Sequence, residues 1–369
     1  MVGLRGALDT ATVLRVFLQS NNALRLPSRY QTTDSSMNKA DANSLSRRQI
    51  FGSVGTGLAA ATLAADTAVA QAQNGPNTAQ NPVTEFPAPP FAAQPQPWPG
   101  LASLMNPKPD HGETSYKGSG KLRGRKALIT GGDSGIGRAA AIAYGREGAD
   151  VAISYLPVEE PDAREVIELI QKAGRKAVSL PGDIRNEDFC NNLVAEAVNQ
   201  LGGLDILVNN AARQHSVEYL EELTTELFDW TFKTNVYAMF WITKAALPHL
   251  GPGSAIINTA SVEAYQPDAN LLDYAQTKAS IVAFTKGLAK QIAQKGIRVN
   301  AVAPGPFWTP LQVSGGQTLQ KVIQFGADTP YGRPGQPVEL APVYVELAAS
   351  ELSYSSGQVY GASGGTGIP

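Results

Sequence analysis

The sequence predicts an α/β fold for residues 124–369, a doubly wound parallel sheet in three layers that forms one domain. Short apolar runs alternate with amphipathic helical segments from Lys126 onward, and a glycine cluster stands between the first run and the first helix. Alternation of this kind builds βαβ units with right-handed crossovers, which place helices on both faces of a parallel sheet. A ligand is then expected beyond the carboxyl ends of the strands.

The apolar runs have the length of strands buried on both faces, and the segments between them have helical periodicity. We predict six strands, at residues 127–129, 151–154, 177–180, 206–208, 255–258 and 299–302. Helices are predicted, among others, at residues 139–148, 162–173, 188–201 and 274–294.

The composition of the 369-residue chain is ordinary for a globular protein, with 43% hydrophobic residues, 17% charged residues and a formal net charge of -2. Its basic residues are scattered, which argues against a nucleic-acid partner. The single cysteine, Cys190, excludes an intramolecular disulfide and a cysteine-only metal site. His111, His215 and His249 lie far apart without a metal-ligand spacing, so no metal site is predicted.

Residues 1–72 have the pattern of an export leader. Ser-Arg-Arg-Gln-Ile-Phe at 46–51 is followed by an uncharged apolar stretch at 52–65 and by alternating alanines at positions 68, 70 and 72. An arginine pair, a mildly apolar run and a small-residue cleavage site are typical of a twin-arginine (Tat) signal. The apolar run is shorter than the ~20 residues that span a membrane as a helix. A disordered alanine-rich leader with a chance arginine pair is the alternative.

The signal interpretation predicts both a compartment and a start codon. We expect the twin-arginine export machinery to carry the protein to the periplasm or outside the cell, with cytoplasmic residence as the alternative. Export signals normally begin close to the initiator. Met37 lies nine residues before Ser46, so it fits better than Met1 as the true start.

Residues 73–123 separate the leader from the predicted domain. Up to about residue 100 the chain is rich in Pro, Gln, Ala and Asn, and such a segment buries too little apolar surface to offset the entropy of ordering it. Beyond it, apolar side chains recur among prolines: Trp98, Leu101, Leu104, Met105 and Tyr116. We predict a linker followed by an arm that lies on its own subunit or on a neighbour; a longer linker is the alternative.

The glycine cluster reads Thr130-Gly131-Gly132-Asp133-Ser134-Gly135-Ile136-Gly137 and leads directly from the first strand into the first helix. Glycines let the backbone turn tightly and approach a pyrophosphate, whose charge is stabilised by the free N–H groups at the helix N-terminus. A glycine cluster alone is a weak signal. The strand before it, the helix after it and the further βα units make it a specific one.

Other motifs follow the later strands in a fixed order. Asp183 follows the third strand, Asn209-Asn210-Ala211 the fourth, Ser261 the fifth and Pro304-Gly305-Pro306 the sixth, with Tyr274-x-x-x-Lys278 at the start of the long helix. Together with the glycine cluster, these motifs resemble those of the short-chain dehydrogenases/reductases, over residues 124–369. The resemblance implies a Rossmann fold. Segments 97–124 and 304–316 also resemble a bacterial subgroup of general-stress or aldehyde-reductase-like oxidoreductases. Ala212 departs from the family pattern, which usually has glycine there.

The spacing of Tyr274 and Lys278 places both side chains on one face of a helix. A free tyrosine has a pKa near 10, and a lysine cation ~4 Å away at an effective dielectric of ~20 lowers it by about three units. Tyr274 would then act as general acid or base. By the resemblance, Lys278 also binds the nicotinamide ribose, Ser261 donates to the substrate oxygen and Asn235 holds a water linked to Lys278. The alternatives are a turn residue at Ser261 and an ordinary helical polar residue at Asn235.

The predicted choice of cofactor depends on the end of the second strand. An NAD-preferring site has an acidic residue there to accept from the ribose hydroxyls, and none is present at Ser154 or Tyr155. These two side chains can donate to a 2′-phosphate, and Arg138 adds positive charge. We therefore predict NADP(H), with NAD(H) as the alternative. Asp183 is expected to contact the adenine, or to cap a helix. The predicted cofactor-binding residues are Gly131, Asp133, Ser134, Gly135, Ile136, Gly137, Arg138, Ser154, Tyr155, Asp183, Ile184, Asn210, Ala211, Ala212, Tyr274, Lys278, Pro304, Gly305 and Pro306.

These residues predict an oxidoreductase that transfers a hydride between NAD(P)(H) and a small aldehyde, ketone or alcohol. A catalytically silent dinucleotide-binding protein of the same fold is the alternative, and an epimerase of the longer-chain branch is a third interpretation. A lid is expected within residues 307–335, with Trp308, Leu311, Phe325 and Tyr331 as an apolar lining. The family resemblance also implies a homotetramer with the helix at 274–294 in one interface.

Overall fold

A computed structural model describes residues 80–367 of the chain. The predicted leader at residues 1–72 lies outside these described residues, as does the start of the predicted linker. Within the described part, no helix combines the length and the apolar character needed to cross a bilayer.

The domain is built on a sheet of seven parallel strands in the order β3-β2-β1-β4-β5-β6-β7. This order, with crossovers in both directions from β1, confirms the predicted doubly wound fold. The sequence did not predict β7, because its four residues form no apolar run and stay partly exposed at the sheet edge. The strands are β1 (Lys126–Thr130), β2 (Asp150–Tyr155), β3 (Ala177–Pro181), β4 (Ile206–Asn209), β5 (Ala255–Thr259), β6 (Arg298–Pro304) and β7 (Val359–Ala362).

Eight α-helices are described in residues 80–367, and they cover both faces of the sheet. The first helix begins at Gly135, four residues before the predicted start, so the helix N-terminus lies inside the glycine cluster. The helices are α1 (Gly135–Arg146), α2 (Glu160–Lys172), α3 (Glu187–Leu201), α4 (Thr225–Phe232), α5 (Ala238–Ala246), α6 (Leu272–Ile292), α7 (Leu319–Ile323) and α8 (Pro337–Ala348).

Two apolar cores lie on the two sides of the sheet. Along β1, Ala127 and Ile129 pack with α1, α2 and α8, whereas Leu128 packs with α3, α5 and α6. Successive side chains of a strand point to opposite faces, so a strand covered on both sides must be apolar at every position. This is why the strands could be recognised as continuous apolar runs.

Residues 80–123 form an arm that packs on the domain of the same chain. Phe91 stacks on Trp308 with the ring centroids 4.2 Å apart, and Trp308 Nε1 donates to the Pro107 carbonyl at 2.9 Å. The arm therefore begins earlier than predicted, because Phe91, which is 6% exposed, lies in the stretch predicted to be linker. A single aromatic side chain can hold a polar, proline-rich segment on the domain if the domain offers a matching apolar surface.

Candidate active site

The glycine cluster forms a tight cradle at the carboxyl end of β1. A Cβ on Gly137 would lie 1.9 Å from the Gly131 carbonyl oxygen, so only glycine allows the loop to pack this closely on α1. Ser134, the N-cap residue of α1, makes no side-chain capping hydrogen bond. The N–H groups of the first turn are therefore available to an anion. Both features fit the pyrophosphate of a dinucleotide.

The loop after β4 locks the cradle to the centre of the sheet. The Asn210 side chain donates to the carbonyls of Thr130 and Gly131 at 3.1 and 3.2 Å. In return, Thr130 Oγ1 accepts from the backbone N–H groups of Asn210 and Ala211. These bonds hold the ends of β1 and β4 together at the point where the strand order reverses, which is where a doubly wound fold binds its ligand.

A cavity of about 550 Å³ opens at these strand ends. We call the part formed by Ser261, Tyr274 and Lys278 its catalytic end, and the part formed by Asp133, Tyr155 and Asp183 its nucleotide end. Every predicted site residue lines the cavity except Gly137, Arg138 and Asn235. Gly137 still acts on the site through the close packing of the cradle.

At the catalytic end, three predicted residues converge from β5 and α6. The Lys278 ammonium donates to the Thr259 carbonyl at 2.8 Å, and its Nζ lies 5.2 Å from the centroid of the Tyr274 ring. Burial raises the pKa of the Tyr274 phenol, and a hydrogen bond with the Ser261 side chain only partly offsets this rise. The hydroxyl of Ser261 also accepts from the Glu263 N–H at 3.1 Å. All three functional side chains are buried.

The expected lowering of the Tyr274 pKa was wrong. Burial, together with the nearby Glu263 carboxyl, raises the pKa of Tyr274 well above its ordinary value. Burial also lowers the pKa of Lys278 to about 7. The attraction between the two charges favours both charged forms, but the desolvation of these buried groups disfavours each charged form and is the larger effect. At neutral pH Tyr274 is therefore protonated, whereas Lys278 titrates.

Asn235 lies in a π-helical turn, Lys233–Tyr237, between α4 and α5. Its Oδ1 accepts from the Arg213 N–H at 2.7 Å, and its Nδ2 donates to the Arg213 carbonyl and to Thr277 Oγ1. The side chain thus joins the loop after β4 to α6, and both of its N–H groups bind protein atoms. The water link from Asn235 to Lys278 stays a prediction. π-helical turns are common at functional sites.

Two residues predicted to bind a 2′-phosphate are engaged elsewhere. The Arg138 guanidinium is fully buried outside the cavity and pairs with Glu113 at 2.9 Å and Glu165 at 2.5 Å. The Tyr155 hydroxyl donates to Glu160 Oε2 at 2.6 Å. The prediction for Arg138 as a cofactor ligand was wrong, because the arm brings in Glu113, far away in sequence, as its partner.

The predicted lid needs a similar correction. Leu311 and Phe325 line the cavity, but Trp308 is buried against the arm and Tyr331 lies outside. Polar side chains share the catalytic end with them, among them Glu263, whose burial raises its pKa to about 7. Further residues line the cavity that were not predicted as site residues: Trp98, Pro99, Glu159, Arg185, Gln214, Glu263, Gln266, Gln312 and Lys321. Trp98 was recognised as an apolar anchor of the arm but not as a wall of the cavity.

Comparison with known proteins places the whole described domain among oxidoreductases. A family model described as Enoyl-(Acyl carrier protein) reductase matches residues 131–367. The chain is 57% identical over 286 residues to the uncharacterized oxidoreductase YghA of Escherichia coli K12, covering 78% of this chain and 97% of the relative. It is 51% identical over 267 residues to general stress protein 39 of Bacillus subtilis, covering 72% and 93% of the two chains.

A plant relative and two solved structures extend the comparison. The chain is 45% identical over 273 residues to NADPH-dependent aldehyde reductase 1, chloroplastic, of Arabidopsis thaliana, covering 72% and 94%. A short chain dehydrogenase of Burkholderia cenocepacia in complex with NADP has a TM-score of 0.62 and 34% identity, covering 66% and 98%. A 3-ketoacyl-(acyl-carrier-protein) reductase of Brucella melitensis complexed with NADH has a TM-score of 0.61 and 32% identity, covering 67% and 100%.

Proposed function

The chain belongs to the short-chain dehydrogenase/reductase family, and we propose that it reduces an aldehyde or ketone to an alcohol with NAD(P)H, using Tyr274 as the proton donor. The observation that carries this proposal is the Tyr274 phenol, buried beside Ser261 and Lys278 in the cavity that the glycine cradle opens into. The comparisons support an oxidoreductase with a nicotinamide cofactor. They support the resemblance to general-stress and aldehyde-reductase proteins as well.

The reaction needs one hydride and one proton, and a bound nicotinamide supplies the hydride. Ser261 orients the substrate carbonyl by donating a hydrogen bond to its oxygen. Because burial holds the pKa of Tyr274 high, its hydroxyl is protonated and gives its proton to the same oxygen as negative charge develops there. The proton transfer leaves a negative phenolate at Tyr274. Lys278, whose pKa is lowered to about 7, stabilises this phenolate when its ammonium group is charged. The product is an alcohol, and Tyr274 then takes up a proton from solvent.

The side chains that line the catalytic end support a small substrate with some polar groups. Leu311 and Phe325 offer apolar surface on the lid, while Gln214 and Glu263 offer hydrogen-bonding groups on the opposite loops. The name of the Arabidopsis relative supports an aldehyde.

A panel of aldehydes, ketones and alcohols tests the proposal. The purified chain is assayed with NADH and with NADPH, and the absorbance of the reduced nicotinamide is followed. We expect reduction of at least one aldehyde or ketone. A chain that binds the dinucleotide but turns over no member of a broad panel would favour the silent dinucleotide-binding protein instead.

We propose that the enzyme is exported folded through the twin-arginine pathway. The support is the pattern at residues 46–72 and a physical argument: a dinucleotide is held only by the folded domain, and few nucleotides are available outside the cytoplasm. A single cysteine also suits an oxidising compartment. Replacing Arg47 and Arg48 by lysine should leave an active, uncleaved precursor in the cytoplasm. Cell fractionation that finds the unaltered protein in the cytoplasm with its leader intact would contradict export.

We also propose a homotetramer with α6 at one interface. Leu272, at the start of α6, and Tyr237, in the π-helical turn that packs against α6, are large apolar side chains left exposed in the single chain. Exposed apolar surface of this kind marks interaction sites. Light scattering at micromolar concentration should give four times the mass of one chain. A monomer would rule out this assembly.

A further inference from the structure

We propose that two buried carboxyl side chains, Asp133 and Glu159, make this enzyme select NAD(H) over NADP(H). They would accept hydrogen bonds from the ribose hydroxyls of the adenosine and disfavour a phosphate at the 2′ position. This inference rests on the proposed function for the presence of a nicotinamide cofactor. It departs from the NADP(H) preference that the sequence predicted.

The two carboxyls reach the nucleotide end from neighbouring segments. Asp133 lies in the glycine cradle after β1 and is 1% exposed, and Glu159 lies in the 3-10 turn Pro157–Glu159 after β2 and is 9% exposed. The two loops are tied together because the Ser154 carbonyl accepts from the N–H groups of Gly131 and Gly132. Both side chains line the cavity. An acidic group thus reaches this site although none stands directly at the end of β2.

One oxygen of this pair has no partner within the described residues. Asp133 Oδ2 is buried without a hydrogen bond, although Asp133 is a cavity-lining residue. An unsatisfied buried acceptor costs free energy, and a hydroxyl donor from a ligand would remove that cost. Glu159 is already fixed in place, because its Oε2 accepts from the Leu156 N–H at 2.8 Å. A ribose hydroxyl supplies the donor that Asp133 lacks, whereas a fully ionised phosphate supplies none.

Negative charge is strongly disfavoured at this place. Burial raises the pKa of Asp133 and of Glu159, and the nearby Asp162 carboxyl raises both further, while Arg138 partly offsets the rise at Asp133. A 2′-phosphate would bring about two further negative charges to the same place. The free-energy cost that already opposes ionisation of these carboxyls would oppose a buried phosphate as well.

Among the described residues, no basic side chain that lines the cavity is available to compensate. Arg185 is paired with Asp183, Lys278 donates to the Thr259 carbonyl at the other end, and Lys321 is paired with Asp268. Of the three residues expected there, Arg138 and Tyr155 bind Glu113, Glu165 and Glu160, and Ser154 lines the cavity but carries no positive charge. NADP-selective sites depend on such a cation for the 2′-phosphate.

Titration calorimetry with NAD⁺ and with NADP⁺ tests the proposal on the full chain without any substrate. We expect the wild-type protein to bind NAD⁺ at least tenfold more tightly than NADP⁺. Glu159→Gln keeps an acceptor for the Leu156 N–H but removes the ionisable carboxyl. It should reduce the affinity ratio about tenfold, mainly by tightening NADP⁺ binding. Asp133→Asn should act in the same direction, and it carries the test if Glu159→Gln does not fold.

Glu168→Gln is the control, because it removes a carboxylate from the exposed face of α2, outside the cavity and without a cavity-lining partner. Its affinity ratio should stay within twofold of wild type. Wild-type binding of NADP⁺ as tight as that of NAD⁺ would overturn the proposal, and so would folded Glu159→Gln and Asp133→Asn proteins with an unchanged ratio. The proposed activity can fail independently of this preference. A chain that binds NAD⁺ more tightly than NADP⁺ but reduces no carbonyl compound would contradict the activity and leave the cofactor preference standing.

Discussion

The catalytic end and the nucleotide end of the cavity are assembled in different ways. At the catalytic end, Tyr274 and Lys278 are four residues apart on one helix, and Ser261 follows the strand beside it. At the nucleotide end, the walls come from the glycine cradle, the turn after β2, the loop after β3 and the N-terminal arm. The catalytic end is fixed by a local spacing along one helix. The nucleotide end depends on which groups from distant parts of the chain pair with each other.

This difference explains which residue roles could be predicted. The sequence predicted that Tyr274 and Lys278 are neighbours, because an i, i+4 spacing on a helix fixes which side chains meet, and the structure brings them together. It assigned Arg138 and Tyr155 to the cofactor without knowing that Glu113 and Glu160 would bind them. A donor seen in a sequence is free only if no partner reaches it in the fold. The four predictions below test this comparison, in order of decreasing effect.

The largest effect is expected from Tyr274→Phe, which deletes only the proton donor of the catalytic end. Because general acid catalysis contributes a factor of about 10² to 10⁴, turnover should fall at least a hundredfold. Cofactor affinity should change less than about twofold, since the ring and its packing remain. Steady-state kinetics and calorimetry measure the two quantities. A variant with more than a tenth of the wild-type rate would remove Tyr274 from its assigned role.

The second prediction concerns the pH dependence of reduction. The pKa of Lys278 is lowered to about 7, so its positive charge is present below pH 7 and lost above it. The turnover of aldehyde reduction should therefore fall as the pH rises through 7, approaching tenfold per unit. Lys278→Arg keeps the charge and should flatten this profile, although at a lower rate. A wild-type rate that is constant from pH 6 to 9 would show that the charge of Lys278 is not needed.

Trp98→Ala probes the contribution of the arm to the nucleotide end. Trp98 lines the cavity and packs edge-on against Trp230 with the ring centroids 5.1 Å apart. We expect the Trp98 ring to contact the bound dinucleotide as well. An aromatic contact contributes about 0.5–1.5 kcal/mol, so losing it should weaken cofactor affinity roughly three- to tenfold. Leu104→Ala is the control in the same arm, because Leu104 is 66% exposed. Equal cofactor affinities for the two variants would show that the arm only covers the domain.

The smallest change in cofactor preference is expected at Arg138. If its guanidinium served a 2′-phosphate, Arg138→Gln would weaken NADP⁺ binding selectively. We expect the ratio of the two affinities to stay within twofold, because the group lies outside the cavity. The variant should instead melt at a lower temperature, since Glu113 and Glu165 lose their buried partner. A selective loss of NADP⁺ binding would restore the original assignment.

The same reasoning applies to the fold. Six strands and the doubly wound order were predictable, because each central strand is covered on both faces and must be apolar throughout. β7 was missed since a short edge strand, Val359–Ala362, has no such requirement. The arm was placed only in part, because the surface that receives Phe91 is made by Trp308, some 200 residues later. The pKa values of Tyr274 and Lys278 were missed because burial has no local signature.

The docking of the arm also sets an order in which contacts form while the protein is being synthesised. Pro82 and Asp110 bind Arg333 and Gln336, which follow them in the chain by 251 and 226 residues. At a translation rate of about 5–20 residues per second, these partners emerge about 10 to 50 s after the arm itself. The segments that carry Pro82 and Asp110 must therefore wait for these partners until nearly the whole domain has been made, whereas Glu113 can pair with Arg138 as soon as α1 has emerged. We expect the nucleotide cleft to be open throughout that interval and to receive Trp98 and Pro99 as its final wall.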